Sequence, residues 1–582
     1  METEHLLEEF APVSAAEWEA AIVRDLKGAD PKEKLIWRVE EGLSVSPYYR
    51  AEDRKDAAKA DAAPGAFPFR RGAQPAGGWR IREEIAETTA SEANRAAIAA
   101  VAAGAEEIAF TQIDPANAIE LELLLKGLDE IPVHFEKAGE PAIRLLLERL
   151  KLHPRAADLS TGRHALANVD FAAEIIASAP AGLLPFTVHG DATEEAGATA
   201  SEEIGLTLAA GVDLLAEFEE RGIAIERTAA AIEFAFAIGS EYFIQIAKLR
   251  AFRLLWSRVI ESFGGSHPAA RARIAARTSR WNKTIYDPHV NVLRTTTEAM
   301  AAVLGGADSV VVVPFDECYK TPDAASRRLA RNTQLLLKHE AGLGRVADAA
   351  GGSYYAETLT DLLAEAGWKK LQEIEACGGY RKALAEGTIA HLLEKSRKAR
   401  EKAVTTRRRT FVGTNQFANP AEQALERIDE NRASAGARGT QAYEALRLRT
   451  ERFKSTGGNL PRIVLAEFGD SKMRAARSTF AANFFACAGL ETEVKRCKYP
   501  SEIAAAEADL IVLCSSDAEY ADMTAQLLPK LKEQNRKTPV IVAGNPEGAE
   551  QMKADGVADF VHLRTNPVET LAKWQENLGI KG

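Results

Sequence analysis

Cysteine is scarce in this chain: five in 582 residues (Cys318, Cys377, Cys487, Cys497 and Cys514), none in a CxxC pair. Scattered cysteines in a cytosolic chain of this size are usually reduced core residues. Positive charge is also short. The net charge of −11 and a pI near 5.6 exclude a nucleic-acid groove or a polybasic membrane surface. No apolar run approaches the ~20 residues of a bilayer span. The opening "METEHLLEEF" is acidic, unlike a signal or transit peptide. The expectation is a soluble, cytoplasmic protein. What is present is an ordinary globular composition, 46% hydrophobic and 27% charged, long enough for two or more domains.

Residues 1–61 mix short helical stretches ("SAAEWEAAIVRDLKG") with one strand-like run, "LSVSPYY", and read as an N-terminal extension rather than an independent core. A Pro/Gly-rich boundary, "AAPGAFPFRRG", carries two buried-looking phenylalanines and opens the next region, 62–385. There short apolar runs recur: "EEIAFTQI", "IPVHFE", "LLPFTVH", "AIEFAFAI", "RIAART" and "DSVVVVP". Long Ala/Leu/Glu-rich helical stretches separate them, which predicts parallel βα units. Repetition over some 270 residues suits a (β/α)8 TIM barrel better than one open sheet, with two of the eight strands faint. Residues 386–459 read as a helical linker. Its basic run Arg407–Arg409 suggests an anion site at first sight, and a solvated face or subunit contact on the commoner pattern. From 460 to 582 five further strands, "RIVLAEF", "ETEVKRC", "ADLIVLCSS", "PVIVAGN" and "DFVHLR", predict a flavodoxin-like doubly wound domain.

In such a sheet the turn after the first strand is where a cofactor docks. Here it reads "GDSKMRAA" and offers Asp470, Ser471, Lys472 and Met473, with the helix expected to open near Arg474. It has neither a glycine-rich phosphate loop nor a histidine. Met473 is a conceivable soft ligand, but a methionine opening a helix is far more often packing.

Longer stretches carry a family likeness. "VNVLRTTTEAMAAVLGGADSVVVVPFDE", "RRLARNTQLLLKHEAGLGRVADAAGGSYYAE", "KKLQEIEACGGYRKAL", "EEAGATASEEIG", "KLRAFRLLW" and "PGAFPFRRG" resemble the methylmalonyl-CoA mutase family. They run in the family's order from about residue 62 to 385. "GGADSVVVVPFDE", "GLGRVADAAGGSYY" and "FVGTNQFANPAE" look more like its small subunit than its large, catalytic one. The resemblance implies that 460–582 is a degenerate cobalamin-binding-type domain. Active members hold adenosylcobalamin between this domain and the barrel, and its cobalt–carbon homolysis starts the interconversion of methylmalonyl-CoA and succinyl-CoA.

Set against that pattern, the chain departs at each working position. The family's axial histidine in D-x-H-x-x-G is missing, and the only histidine after His391 is His562, near the last strand. The serine pair survives as Ser515 and Ser516, but Asp517 follows, an unpaired charge in a tight slot. Asn545 in "AGN" adds a side chain where the family has paired glycines. In "DATEEAGA", Ala192 takes the place of the histidine of "YH-x-QEAGA". His189, three residues earlier at a strand end, reads as mostly structural. "RRGAQPAGGW" lacks the family's tyrosine. "RTSRWNK" puts Ser279 and Trp281 in place of a histidine and a glutamine, and Trp281 is bulky enough to obstruct the cavity.

These departures imply a chain with no catalytic, cofactor-binding or metal residues of its own: a non-catalytic small subunit. It would pair with a large subunit that carries adenosylcobalamin and the acyl-CoA, the N-terminal extension embracing that partner through Leu6, Leu7, Phe10 and Trp18. Two rival readings remain at this stage. One is an active acyl-CoA mutase that binds cobalamin without a histidine ligand, supported by the retained "RNTQ" (331–334) and Glu340; the other is a cobalamin-delivery or chaperone module.

Overall fold

The computed structural model describes residues 13–39, 42–53, 62–153, 158–180 and 182–581. A short antiparallel ribbon, β1 (Trp37–Arg38) with β2 (Ser44–Val45), follows the helix Ala15–Asp25, whose Ser14–Glu17 capping box satisfies its first turn. Leu6, Leu7 and Phe10 lie outside the described residues. Trp18 is exposed, its ring 4.6 Å from that of Tyr48.

Nine parallel strands form the large sheet: β3 (Arg80–Ile85), β4 (Glu107–Phe110), β5 (Val133–Phe135), β6 (Leu159–Thr161), β7 (Leu183–Leu184), β8 (Phe186–His189), β9 (Ile232–Ile238), β10 (Ile274–Thr278) and β11 (Ser309–Val311). β11 pairs with β3, which closes one side of the ring. On the other side β6 pairs with β7 and β8 with β9. Only Pro185 separates β7 from β8. A proline has no N–H to give to a ladder, so the two strands are one stave broken at that residue, and the ring has eight staves. The Thr161 hydroxyl donates to the Pro185 carbonyl at 2.7 Å and holds the break in place. This is the barrel expected from the sequence.

The two faint strands are β3 and β6. β3 reads RIREEI because its inward residues are charged: Arg82 donates to Glu107 (2.7 Å) and to Glu233 (2.8 Å) across the barrel interior. β6 is three residues long, and its Ser160 meets the His134 ring at 2.9 Å. Outside, the helix Ala200–Glu220, opened by a Thr199–Glu202 capping box, crosses the helix Tyr354–Ala376 at glycines. A Cβ at Gly205 would lie 2.9 Å from the Gly367 carbonyl, and one at Gly367 would lie 2.5 Å from Ile204. Larger residues would force these helices apart.

The "PFRRG" turn is tied to the same helix. Arg70 donates to Glu357 and Asp361 at 2.8 and 2.6 Å, Arg71 to Asp348 at 2.8 Å, and Arg250 binds both Asp348 and Glu357. Phe69 is buried and Phe67 half-buried.

The second sheet has the order β13-β12-β14-β15-β16, all parallel: β12 (Ile463–Glu467), β13 (Thr492–Arg496), β14 (Leu510–Cys514), β15 (Val540–Val542) and β16 (Asp559–Phe560). This is the flavodoxin-like arrangement, with its switch point between β12 and β14. Helices Thr388–Thr405 and Gln441–Ser455 stand between barrel and second sheet. No described helix is long and apolar enough to cross a membrane. All five cysteines are free, four of them buried.

Candidate functional site

Two places are where ligands bind in folds of these kinds: the C-terminal mouth of the barrel and the switch-point crevice of the second sheet. The mouth holds a cavity of about 610 Å³. Its walls are charged, and four arginines there pair with carboxylates. Arg277 pairs with Glu84 (2.8 Å), Arg327 with Glu87 (2.9 Å), Arg331 with Glu83 (2.5 Å) and Arg280 with Glu317 (3.0 Å). These pairs belt the mouth from β3 to the segments after β10 and β11.

Ala192 lies exposed on this wall, and its methyl offers nothing to a substrate carbonyl. His189, at the end of β8, has both ring nitrogens engaged: Nε2 donates to the Gly162 carbonyl at 2.6 Å, and Nδ1 lies 3.2 Å from Asp191 Oδ1. Burial disfavours the charged ring, but Asp191, the Gly162 carbonyl and Glu136 outweigh it and raise its pKa to about 9. His189 is therefore an imidazolium with no lone pair free to accept a proton. The neighbouring His164 is pushed down to about 4 by burial and by the charge of His189. Glu136 is lowered to about 2 against its own desolvation, chiefly by His134. The retained "RNTQ" serves structure: Arg331 binds Glu83, and Gln334 accepts from Trp79 Nε1 at 3.1 Å. Glu340 is exposed.

Ser279 and Trp281 part company. The Ser279 hydroxyl donates to buried Glu194 (3.0 Å), whose other oxygen receives Arg400 (2.8 Å). Trp281 does not obstruct the mouth. Its backbone leads away from β10, and the indole is 2% exposed among Val404, Phe411 and Tyr443, in the apolar cluster of the second domain. The expectation that it fills the cavity fails because this apolar shelf outside the barrel competes for the ring. The arginine run also departs from a solvated face. Only Arg408 is exposed, while Arg407 and Arg409 are half-buried and bonded within the chain.

At the switch-point crevice, helix Ser471–Ala486 opens three residues earlier than expected. Asp470 is its N-cap, accepting from the backbone N–H of Lys472 (3.1 Å) and Met473 (2.7 Å). The residues of the ligand turn are thus consumed in starting a helix, with Lys472 exposed and Met473 half-buried. The crevice beside it is occupied by Glu519, which accepts from the Ser516 hydroxyl at 2.6 Å, from the Asp470 N–H at 3.2 Å and from the Ser515 hydroxyl. Those hydroxyls hold the Glu519 carboxyl down to about 2. Gly469 (φ +66°) permits this approach, since a Cβ there would meet the carboxylate at 2.2 Å.

Between β14 and β15 the slot is filled by Tyr520, fully buried, its hydroxyl 2.8 Å from the carbonyls of Ser515 and Ala543. Two sequence expectations are corrected here. Asp517 is not an unpaired charge: its carboxylate, which a Cβ at Gly544 would meet at 2.6 Å, pairs with Arg477 at 3.0 Å. Asn545 is exposed, and Tyr520 rather than Asn545 occupies the space. Sequence reasoning missed Glu519, although Ser516-x-x-Glu519 has the spacing of a capping box.

The ligand position of the second sheet does not fit adenosylcobalamin: the turn holds no imidazole, the crevice holds a carboxylate and the slot holds a phenol. Among the described residues no group of three or more His, Cys, Asp or Glu is placed to hold a metal ion.

A closed βα barrel joined to a 2-1-3-4-5 parallel sheet defines a mixed α/β protein of the barrel-plus-doubly-wound class. The sequence profile of the family described as methylmalonyl-CoA mutase matches residues 38–118 and 165–458. The methylmalonyl-CoA mutase small subunit of Porphyromonas gingivalis is 35% identical over 100% of both chains. That of Streptomyces virginiae is 34% identical over 96% of this chain and 94% of its own. The methylmalonyl-CoA mutase of Rhizobium meliloti is 30% identical over 75% of this chain and 68% of its own. The chain belongs to the methylmalonyl-CoA mutase family.

Proposed function

We propose that this chain is the non-catalytic small subunit of a heterodimeric, adenosylcobalamin-dependent methylmalonyl-CoA mutase. It pairs with a large subunit that holds the cofactor and interconverts methylmalonyl-CoA and succinyl-CoA. The observation that carries the reading is the state of the cofactor turn. Asp470 caps a helix, Lys472 stands where a ligand histidine would be, and Glu519 fills the crevice. Ala192 at the mouth and the doubly engaged His189 support the same reading, since neither supplies a proton donor for a migrating thioester. The small-subunit relatives along the whole chain support the pairing. A groove of exposed aromatics between the N-terminal ribbon and the barrel helices (Trp37, Tyr48, Phe243, Tyr354) offers the kind of side chain that anchors an interface.

Equilibrium dialysis of the isolated chain against adenosylcobalamin tests the central absence. The expected result is no saturable binding in the micromolar range. A micromolar or tighter constant at one site per chain contradicts the reading and revives a mutase that needs no protein ligand.

A further inference from the structure

We infer that Arg407, Arg409 and Trp281 form an interdomain lock that makes the barrel and the C-terminal domain one cooperative unit. The two arginines point to different bodies. Arg407 donates to the Asn483 carbonyl (3.0 Å) and to Cys487 Sγ (2.9 Å), and its guanidinium lies 5.7 Å from the Phe484 ring centroid. All three partners belong to the first helix of the C-terminal domain or its end. Arg409 reaches the barrel instead, donating to the Ser240 hydroxyl (3.1 Å) just past β9.

In an extended strand two residues this far apart would share one face; here they lie in a turn and grip opposite bodies. The segment is bent to do so. Arg407 adopts φ +57°, a conformation that a non-glycine residue keeps only where its surroundings over-determine it. Asn415 supplies that determination from below, donating to the Arg409 and Val404 carbonyls and accepting from the Phe411 N–H at 2.6 Å.

Trp281 is the pin. It leaves the barrel directly after β10, and two guanidiniums lie over its ring, Arg400 at 4.1 Å and Arg409 at 4.7 Å from the centroid. Phe411 meets it edge-on at 5.6 Å. The Gly439 N–H donates to the Trp281 carbonyl at 2.8 Å, and a Cβ at Gly439 would lie 2.7 Å from the indole, so the pocket is cut to this ring. Arg400 continues the contact into the barrel through Glu194. Beyond the pin, Thr450 and Gln575 tie the helix Gln441–Ser455 to the C-terminal domain. Stacking on an aromatic face needs a planar guanidinium, which lysine does not reproduce.

The lock predicts that neither domain opens without the other. The test is hydrogen exchange by mass spectrometry on the full chain, alongside denaturant unfolding, for the unmodified protein, Arg409→Lys, Arg407→Ala/Arg409→Ala and Trp281→Phe. In the unmodified protein, amides of β9 and β12 are expected to lose protection together in one transition. In the double variant and in Arg409→Lys, β12 and β14 are expected to exchange at least tenfold faster while β9 stays protected. Trp281→Phe, which keeps a ring in the pocket, is expected to fall between. Two transitions in the unmodified protein overturn the inference. So does a double variant that unfolds at lower denaturant but still in one transition, because the arginines then merely stabilise the fold.

Discussion

At the scale of single side chains, the proposed loss of a site rests on a few positions. The Ala192 side chain gives the mouth no hydrogen-bond donor, and His189 nearby has both its nitrogens bound. Ala192→His alone is therefore expected to give no mutase turnover in the isolated chain. Groups that act as a unit do not restore activity one at a time. Turnover above background in an assay with adenosylcobalamin and methylmalonyl-CoA would contradict this. His189 has a measurable consequence of its own. Its folded pKa of about 9 stands above the ordinary 6.5, so its contribution to stability is complete below pH 6.5 and is lost as pH rises through 9. His189→Gln is expected to cost about 1–3 kcal/mol at pH 6 and much less at pH 9.5. Equal losses at both pH values, read from urea midpoints, would refute the imidazolium assignment.

At the scale of elements, the retained motifs prove to be joints. The "PFRRG" turn is a joint because Arg70 and Arg71 clasp Glu357, Asp361 and Asp348 from beyond β11 in the chain. Arg70→Ala leaves buried Glu357 short of one partner and is expected to destabilise the chain by about 3–5 kcal/mol. A change below 1 kcal/mol in denaturant unfolding would show the clasp to be ornamental. The barrel and the doubly wound sheet were legible because most staves are continuous apolar runs with helical repeats between them. β3 and β6 were faint because barrel interiors here are polar: Arg82 and Ser160 break the pattern that marks a buried strand. The start of helix Ser471–Ala486 is hidden in the sequence because an aspartate after a strand serves equally in a ligand turn and as a cap, and Asp470 is the cap. The loss of ligand residues was legible position by position. What replaced them was not, because Glu519, Tyr520 and the shelf that takes Trp281 come from distant segments.

Across the whole molecule, the ligand position of the second sheet is filled by the chain itself and most charges at the barrel mouth pair with one another, while the surface keeps aromatic groups exposed beside the N-terminal ribbon. The arm buries no residue of its own helix Ala15–Asp25. Deleting residues 1–30 is therefore expected to weaken assembly with a partner far more than it lowers the melting temperature of the isolated chain. Equal affinity of the truncated and full chains would show that the arm has no such role. The most direct test of the account is co-expression with the cognate large mutase subunit. The purified species would be measured by analytical ultracentrifugation and its cobalamin counted. The account predicts a one-to-one pair carrying one cobalamin, all of it retained by the large subunit after the chains are separated. A chain that stays monomeric or self-associates beside that partner, or that carries cobalamin itself, would contradict it.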